Sequence, residues 1–226
     1  KTFHPPAGKF DGVIGGPPCQ QFSPLANLLR ATGREPRHEN MIPEFERVVS
    51  ATRPEWFLME NVPSAPLPSV PGYSVRAFLL CPTWLAEIQR RRRRFTFGVR
   101  GDNVPDLRRF INYGALDAAE TAWTVIQAGV DNSAERKGWV KRGTATSKAV
   151  AVKAATVLAG HGPVGRGNGH CSRYSIEEMC ELQGLPLDFL AETPFTMDGK
   201  RQVIGNGVHI AVGRAIARAV RRALAP

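Results

Sequence analysis

The chain has 226 residues, enough to bury one sizeable core and at most a small second lobe beside it. Its 30 lysines and arginines against 20 acidic residues leave a formal charge of +10, which favours a polyanionic partner, either nucleic acid or an anionic membrane surface. No apolar run reaches the roughly 18 residues needed to cross a bilayer, and the stretch from Lys1 to Gly12 has no apolar core that could act as a signal peptide. A soluble intracellular protein is expected.

In chain order, Phe10 to Ile14 reads as a short strand running into Gly15-Gly16-Pro17-Pro18, a loop that carries Cys19. From Asn40 to Thr52 the apolar residues Met41, Ile42, Phe45, Val48 and Val49 recur at helical spacing, and Trp56 to Met59 then reads as a buried strand ending at Glu60-Asn61. A strand, loop, helix and strand in that order predict a parallel pair with a helix on one face, and ligands of such sheets usually sit beyond the strand C-termini. Cys19 and Glu60 both occupy that position.

The proline-rich segment Pro63 to Pro71 is too short for an ordinary crossover helix, so the next strand, Tyr73 to Leu80, is expected to pair antiparallel. Another strand, Phe95 to Val99, follows the arginine run Arg90 to Arg94. Residues 100–170 have weak periodicity and many Gly, Ala, Thr and basic residues, which makes them the best candidate for a second lobe. Ser175 with Glu178 predicts a capping box that opens a short helix through Gln183, with Gly184 as its stop. After Gly205-Asn206-Gly207, the stretch to Leu224 sets Ile210, Ile216, Val220 and Leu224 against Arg214, Arg218, Arg221 and Arg222, the pattern of a terminal amphipathic helix.

Three features could carry chemistry. Cys19, held in a rigid Gly-Pro loop and followed by Gln20, Gln21, Phe22 and Ser23, is either a nucleophile or a buried structural thiol. Glu60, directly after Trp56-Phe57-Leu58-Met59, is either a partly desolvated acid at the sheet rim or a solvated strand end. In an extended segment Arg91 and Arg93 would share one face and Arg90, Arg92 and Arg94 the other, so one set could line a pocket while the other meets phosphate or solvent. The cysteines Cys19, Cys81, Cys171 and Cys180 show no C-x-x-C spacing and indicate neither a zinc cage nor a disulfide framework.

Taken together, these segments resemble the DNA cytosine-C5 methyltransferase family. Gly15-Gly16-Pro17-Pro18-Cys19-Gln20-Gln21-Phe22-Ser23 resembles its catalytic loop, Pro-Cys-Gln-x-Phe-Ser. Glu60-Asn61-Val62 matches its Glu-Asn-Val motif, and Gln89-x-Arg91-x-Arg93 its Gln-x-Arg-x-Arg motif. Arg173-Tyr174-Ser175, Glu178 and Gln183-Gly184-Leu185-Pro186 resemble the block after its recognition region, and Gly205-Asn206-Gly207-Val208 its last Gly-Asn block. The order is the family's own.

The resemblance implies an α/β fold: a partial Rossmann-like sheet of S-adenosylmethionine-dependent methyltransferases, with helices on its faces and a small target-recognition lobe. It divides the chain into a catalytic core at 1–99, a target-recognition region at 100–170 and a C-terminal segment, 171–226, that returns to the core. It implies that Cys19 adds to cytosine C6, that Glu60 bonds N3 and the exocyclic amine, that Arg91 binds O2 and that Arg93 supports the carboxylate or the loop. The methyl donor would be S-adenosylmethionine, touched by Pro18, Asn206 and Val208, and the substrate double-stranded DNA carrying a flipped-out cytosine. Gln20, Ser23 and Thr156 are the implied DNA contacts, joined by phosphate-binding lysines and arginines such as Lys137, Lys141, Arg142 and Lys148. A cytoplasmic protein of restriction-modification, phage protection or regulation is implied.

The family's opening Phe-x-Gly-x-Gly loop and its ribose- and adenine-binding acids have no match here. The expectation is therefore half a donor site, an open sheet edge, and a fragment or one part of a split enzyme completed by an N-terminal chain or segment. The alternatives are a catalytically inactive DNA-binding remnant and a one-carbon transferase acting on free pyrimidine nucleotides.

Overall fold

The computed structural model describes residues 4–18, 20–22, 33, 39–87, 89–114 and 174–225. Cys19, Ser23 and Thr156 lie outside the described residues, as do most of the expected recognition region and its basic residues Lys137, Lys141, Arg142 and Lys148. The chain divides into two compact units, one made of Lys1–Leu80, Arg92–Phe110 and Ala219–Pro226, the other of Cys81–Arg91 and Ile111–Arg218.

The first unit is built on a four-stranded sheet of β1 (Gly12–Gly15), β2 (Trp56–Asn61), β3 (Tyr73–Leu80) and β4 (Arg93–Arg100), in the order β1-β2-β4-β3. β1 runs parallel to β2, and their connection contains helix α1 (Ile42–Thr52), as the strand, loop, helix, strand pattern predicts. β3 is antiparallel to its partner β4, but β4 inserts between β2 and β3 and is antiparallel to both, so β2 and β3 run in the same direction and the proline link, expected to be too short for a crossover, carries the chain past β4. The β4 residues Phe95, Thr96, Phe97 and Val99 are all buried, because a central strand is covered on both faces.

α1 begins at Ile42-Pro43, where proline's fixed φ suits the first helical turn, and ends where Arg53 turns left-handed (φ 52°). Its buried face, Ile42, Phe45 and Val49, packs with Phe57, Met59, Val62, Ala65 and Val70 into one core. Phe45 meets Phe57 edge-on at 5.7 Å, and Phe57 meets Tyr73 at 5.6 Å. On the opposite face of the sheet Phe78 stacks on Phe95 at 5.9 Å. β1 pairs on one side alone among the described residues, and Ile14 on it is 71% exposed.

The second unit carries α2 (Ile176–Gln183) and α3 (Met197–Asn206). α2 begins and ends as its sequence predicts. The Ser175 hydroxyl accepts from the Glu178 backbone N–H, the Glu178 carboxylate accepts from the Ser175 N–H at 2.6 Å, and Gly184 closes the helix at φ 71°. A side chain at Gly184 would be strained by that φ. Tyr174, Ile176, Met179, Cys180, Leu182, Leu190 and Ile204 form the core that joins α2 to α3. Burial raises the pKa of the Cys180 thiol.

α3 is not apparent from apolar periodicity, since Gly199 and Gly205 interrupt it, yet Thr196 caps it by accepting from the Gly199 N–H. The terminal helix α4 (Ile210–Ala223) buries Val212, Ile216, Ala219 and Val220 and exposes Arg214, Arg218, Arg221 and Arg222. Leu224, expected on the apolar side, falls one residue past the helix and is 40% exposed. No helix among the described residues is long and apolar enough to cross a membrane.

Candidate active site

In the first unit the parallel register sets Gly15 opposite Met59, which brings the start of the Gly-Gly-Pro-Pro loop beside Glu60 on the next residue of each strand. A Cβ on Gly16 would stand 3.3 Å from Glu60 Oε2, so glycine there lets the loop backbone lie against the carboxylate. Asn61 reinforces the junction: its buried amide donates from Nδ2 to the Pro17 carbonyl at 3.2 Å, and its Oδ1 accepts from the Val62 N–H at 2.8 Å. Ser64 donates to the Phe22 carbonyl on the far side of the loop. Cys19 itself is outside the described residues, but the chain before it is tied to the end of β2 and the chain after it to Ser64, in the segment that follows β2.

Glu60 faces Phe95 across β2 and β4, and Arg93 lies two residues earlier on β4, on the same face. The two side chains meet, Arg93 Nε standing 3.0 Å from Glu60 Oε1, with exposures of 18% and 19%. A half-buried guanidinium beside a half-buried carboxylate fixes the carboxylate's orientation while leaving it open to a ligand. Glu60 is therefore not a solvated strand end.

The second unit holds the other arginine of the motif. Arg91 is buried (4% exposed), and its Nη2 donates to the carbonyls of Gly205 at 2.9 Å and Gly207 at 3.2 Å. Gln183, 1% exposed, donates from Nε2 to the Ile204 carbonyl at 2.7 Å and to that of Gly207 at 3.4 Å. These contacts shape the turn after α3, on which Asn206 and Val208 are exposed. Pro18, in the first unit, is exposed as well.

His209 follows directly, 2% exposed, with Nε2 4.0 Å from Glu87 Oε2 and Nδ1 accepting from the Ala211 N–H. Burial and then the charge of Arg91 depress its pKa to about 4, while burial raises that of Glu87. The imidazole is neutral at pH 7.

The predicted site residues thus fall into two groups, Glu60, Arg93 and the Pro18 loop in one unit, and Arg91, Asn206 and Val208 in the other. The expected burial alternation of the arginine run holds for Arg90 to Arg93, with Arg90 and Arg92 exposed. Arg94 instead donates to the Ala65 carbonyl. Sequence reasoning named Gln183 only as part of a motif and missed His209, whose single imidazole carried no spacing signal.

The fold, a mixed sheet with helices, is shared with solved structures. The Entamoeba histolytica methyltransferase EhMeth superposes with a TM-score of 0.53 at 11% identity, covering 96% of this chain and 78% of that one. The S. pombe Dnmt2 methyltransferase gives 0.59 at 13% identity, covering 94% of this chain and 78% of that one. At such identities the likeness concerns the fold alone.

Residues 2–66 match the C-5 cytosine-specific DNA methylase family model. The Type II methyltransferase M.HgiDI of Herpetosiphon aurantiacus is 33% identical over 105 residues, 42% of this chain and 33% of that protein. M1.HphI of Haemophilus parahaemolyticus is 50% identical over 54 residues, 24% of this chain and 14% of that protein. Over these residues the chain is similar to the C-5 cytosine-specific DNA methylase family, and its matches span a third or less of the length of these two relatives.

Proposed function

We propose that the chain carries the base-binding and nucleophilic machinery of a DNA cytosine-C5 methyltransferase. The observation that carries this reading is the Arg93–Glu60 pair at the end of β2, against the glycine that opens the Pro-Cys loop.

Cytosine C5 is a weak nucleophile. A thiolate from Cys19 adding to C6 turns the ring into an enamine-like system whose electron density lies at C5. Glu60 bonds N3 and the exocyclic amine, favouring the protonated ring as charge develops, and Arg93 holds the carboxylate in place. After the methyl group has been accepted, loss of the C5 proton and departure of the Cys19 thiolate restore the aromatic ring. None of these atoms is reachable in a stacked duplex, so the cytosine must be flipped out at a cost of roughly a few kcal/mol, met by contacts to DNA. Gln20 and Ser23 of the Pro-Cys loop, Thr156 in the proposed recognition region at 100–170, and the positive charge are the proposed source of those contacts.

S-adenosylmethionine, when bound, supplies an electrophilic methyl group. The residues present fit such a donor. A Cβ on Gly207 would stand 3.3 Å from the Ile204 carbonyl, so the turn is narrow and leaves Asn206 and Val208 exposed, one an amide for polar groups and the other apolar surface for an adenine. Pro18 is the third proposed contact. The reading places the protein with DNA in a bacterial or phage-infected cytoplasm, in keeping with relatives named as Type II methyltransferases.

The test is methyl incorporation into cytosine C5 of duplex DNA from labelled S-adenosylmethionine, alone and with a donor-site segment supplied from a relative. DNA carrying 5-fluorocytosine should form a covalent adduct with the wild type. Cys19→Ser should abolish the adduct and lower incorporation at least about a thousandfold. DNA binding without adduct or incorporation in either format would support an inactive DNA-binding protein instead. Methylation of free nucleotides, unaffected by duplex DNA, would support the small-substrate alternative.

A further inference from the structure

α3 ends with the problem common to helix C-termini: its last carbonyls lack partners within the helix, and their partial negative charge accumulates there. Its last turn contains no basic residue. The missing donors come from elsewhere in the second unit. Arg91 Nη2 reaches the Gly205 and Gly207 carbonyls, Gln183 Nε2 reaches those of Ile204 and Gly207, and the Gly207 N–H closes on Ile204 O at 3.2 Å. Gly207 receives both side chains.

We infer that Arg91 is a positioning residue rather than a pyrimidine ligand: with Gln183 it clamps the carbonyl end of α3 and so holds Asn206 and Val208 in place for the methyl donor. The assignment to the donor rests on the function proposed above; the clamp itself does not. For Arg91 Nη2 to reach a base oxygen, it would have to leave two carbonyls in a setting where the side chain is 4% exposed. Surrendering charge-assisted bonds at a buried site is costly. Arg93, already beside Glu60, needs no such exchange. The motif's two arginines then act on opposite partners, one on the base-binding carboxylate and the other on the donor-side turn.

Amide hydrogen exchange on the full chain, without ligand, tests the clamp. Arg91→Met should speed exchange at Gly205 to Gly207 by about tenfold or more, while amides of β2 and β4 hold their rates. Arg91→Lys, which can reach one carbonyl, should fall between the two. Gln183→Leu should loosen the same amides and serves where Arg91→Met fails to fold. Unchanged exchange at Gly205 to Gly207 in these variants would overturn the inference.

Steady-state kinetics test the link to the donor. Arg91→Met should raise the donor KM about tenfold with kcat within a few-fold, whereas Arg93→Met should lower kcat and leave the donor KM in place. A drop in kcat at unchanged donor KM for Arg91→Met would return Arg91 to the base and overturn the inference. Absence of methylation by the wild-type chain would count against the proposed function, and the exchange results would still decide the clamp.

Discussion

Arg91 and Arg93 are two residues apart, of one type and in one motif, yet the structure gives them different work. Arg93 sits on a strand, half-buried, and pairs with a carboxylate across the sheet. Arg91 precedes that strand, is buried and spends its Nη2 on two backbone carbonyls. The alternation of an extended chain puts both in one set without saying which set turns inward, and the partner is what decides chemistry. A guanidinium facing a carboxylate can orient a group that meets substrate, whereas one facing carbonyls fixes the backbone.

The largest effect should come from separating the two settings at the carboxylate. Glu60→Gln keeps the shape but removes the charge that Arg93 pairs with, and incorporation at C5 should fall about a thousandfold. Exchange at Gly205 to Gly207 should not change. Loosening of that turn in Glu60→Gln would mean that the two settings are not independent.

The next contrast concerns pH. His209 takes its proton near pH 4 when folded but near 6.5 when unfolded, so between those values the unfolded chain binds a proton that the folded one refuses. Stability should be full above pH 6.5 and fall as pH drops, by about 2 kcal/mol between pH 7 and pH 5. His209→Gln should flatten that interval in urea titrations. A drop as steep as the wild type's would show that another group is responsible.

The smallest effect belongs to the N-cap of α2. Ser175→Ala removes the hydroxyl that accepts from Glu178 and should cost about 1 kcal/mol, read from urea midpoints. The donor KM should be unmoved, because the cap lies at the other end of α2 from Gln183. A rise in that KM would mean that the clamp depends on the whole helix rather than on Gln183.

Much of this arrangement was legible before any coordinates. The helix over 42–52 was readable because its apolar residues repeat at helical spacing, and α2 because Ser175, Glu178 and Gly184 are local chemical signals; the course of β3 was not, because the short proline link spans the inserted β4 and leaves β3 parallel to β2. Glu60 was legible as an acid at the end of an apolar strand. α3 was not, because glycines dilute its periodicity and its Thr196 cap lacks the paired acid that made Ser175 conspicuous.

By itself, then, the sequence determined what near neighbours in the chain control: element type, caps and the motif order. Only the tertiary structure decided that β4 enters between β2 and β3, that Arg93 lies diagonal to Glu60, and that Gln183 and Arg91 meet the end of α3. Those contacts join residues up to 116 positions apart. Local propensity cannot encode such distances, because the partner of a buried charge is settled by which groups the fold leaves unsatisfied.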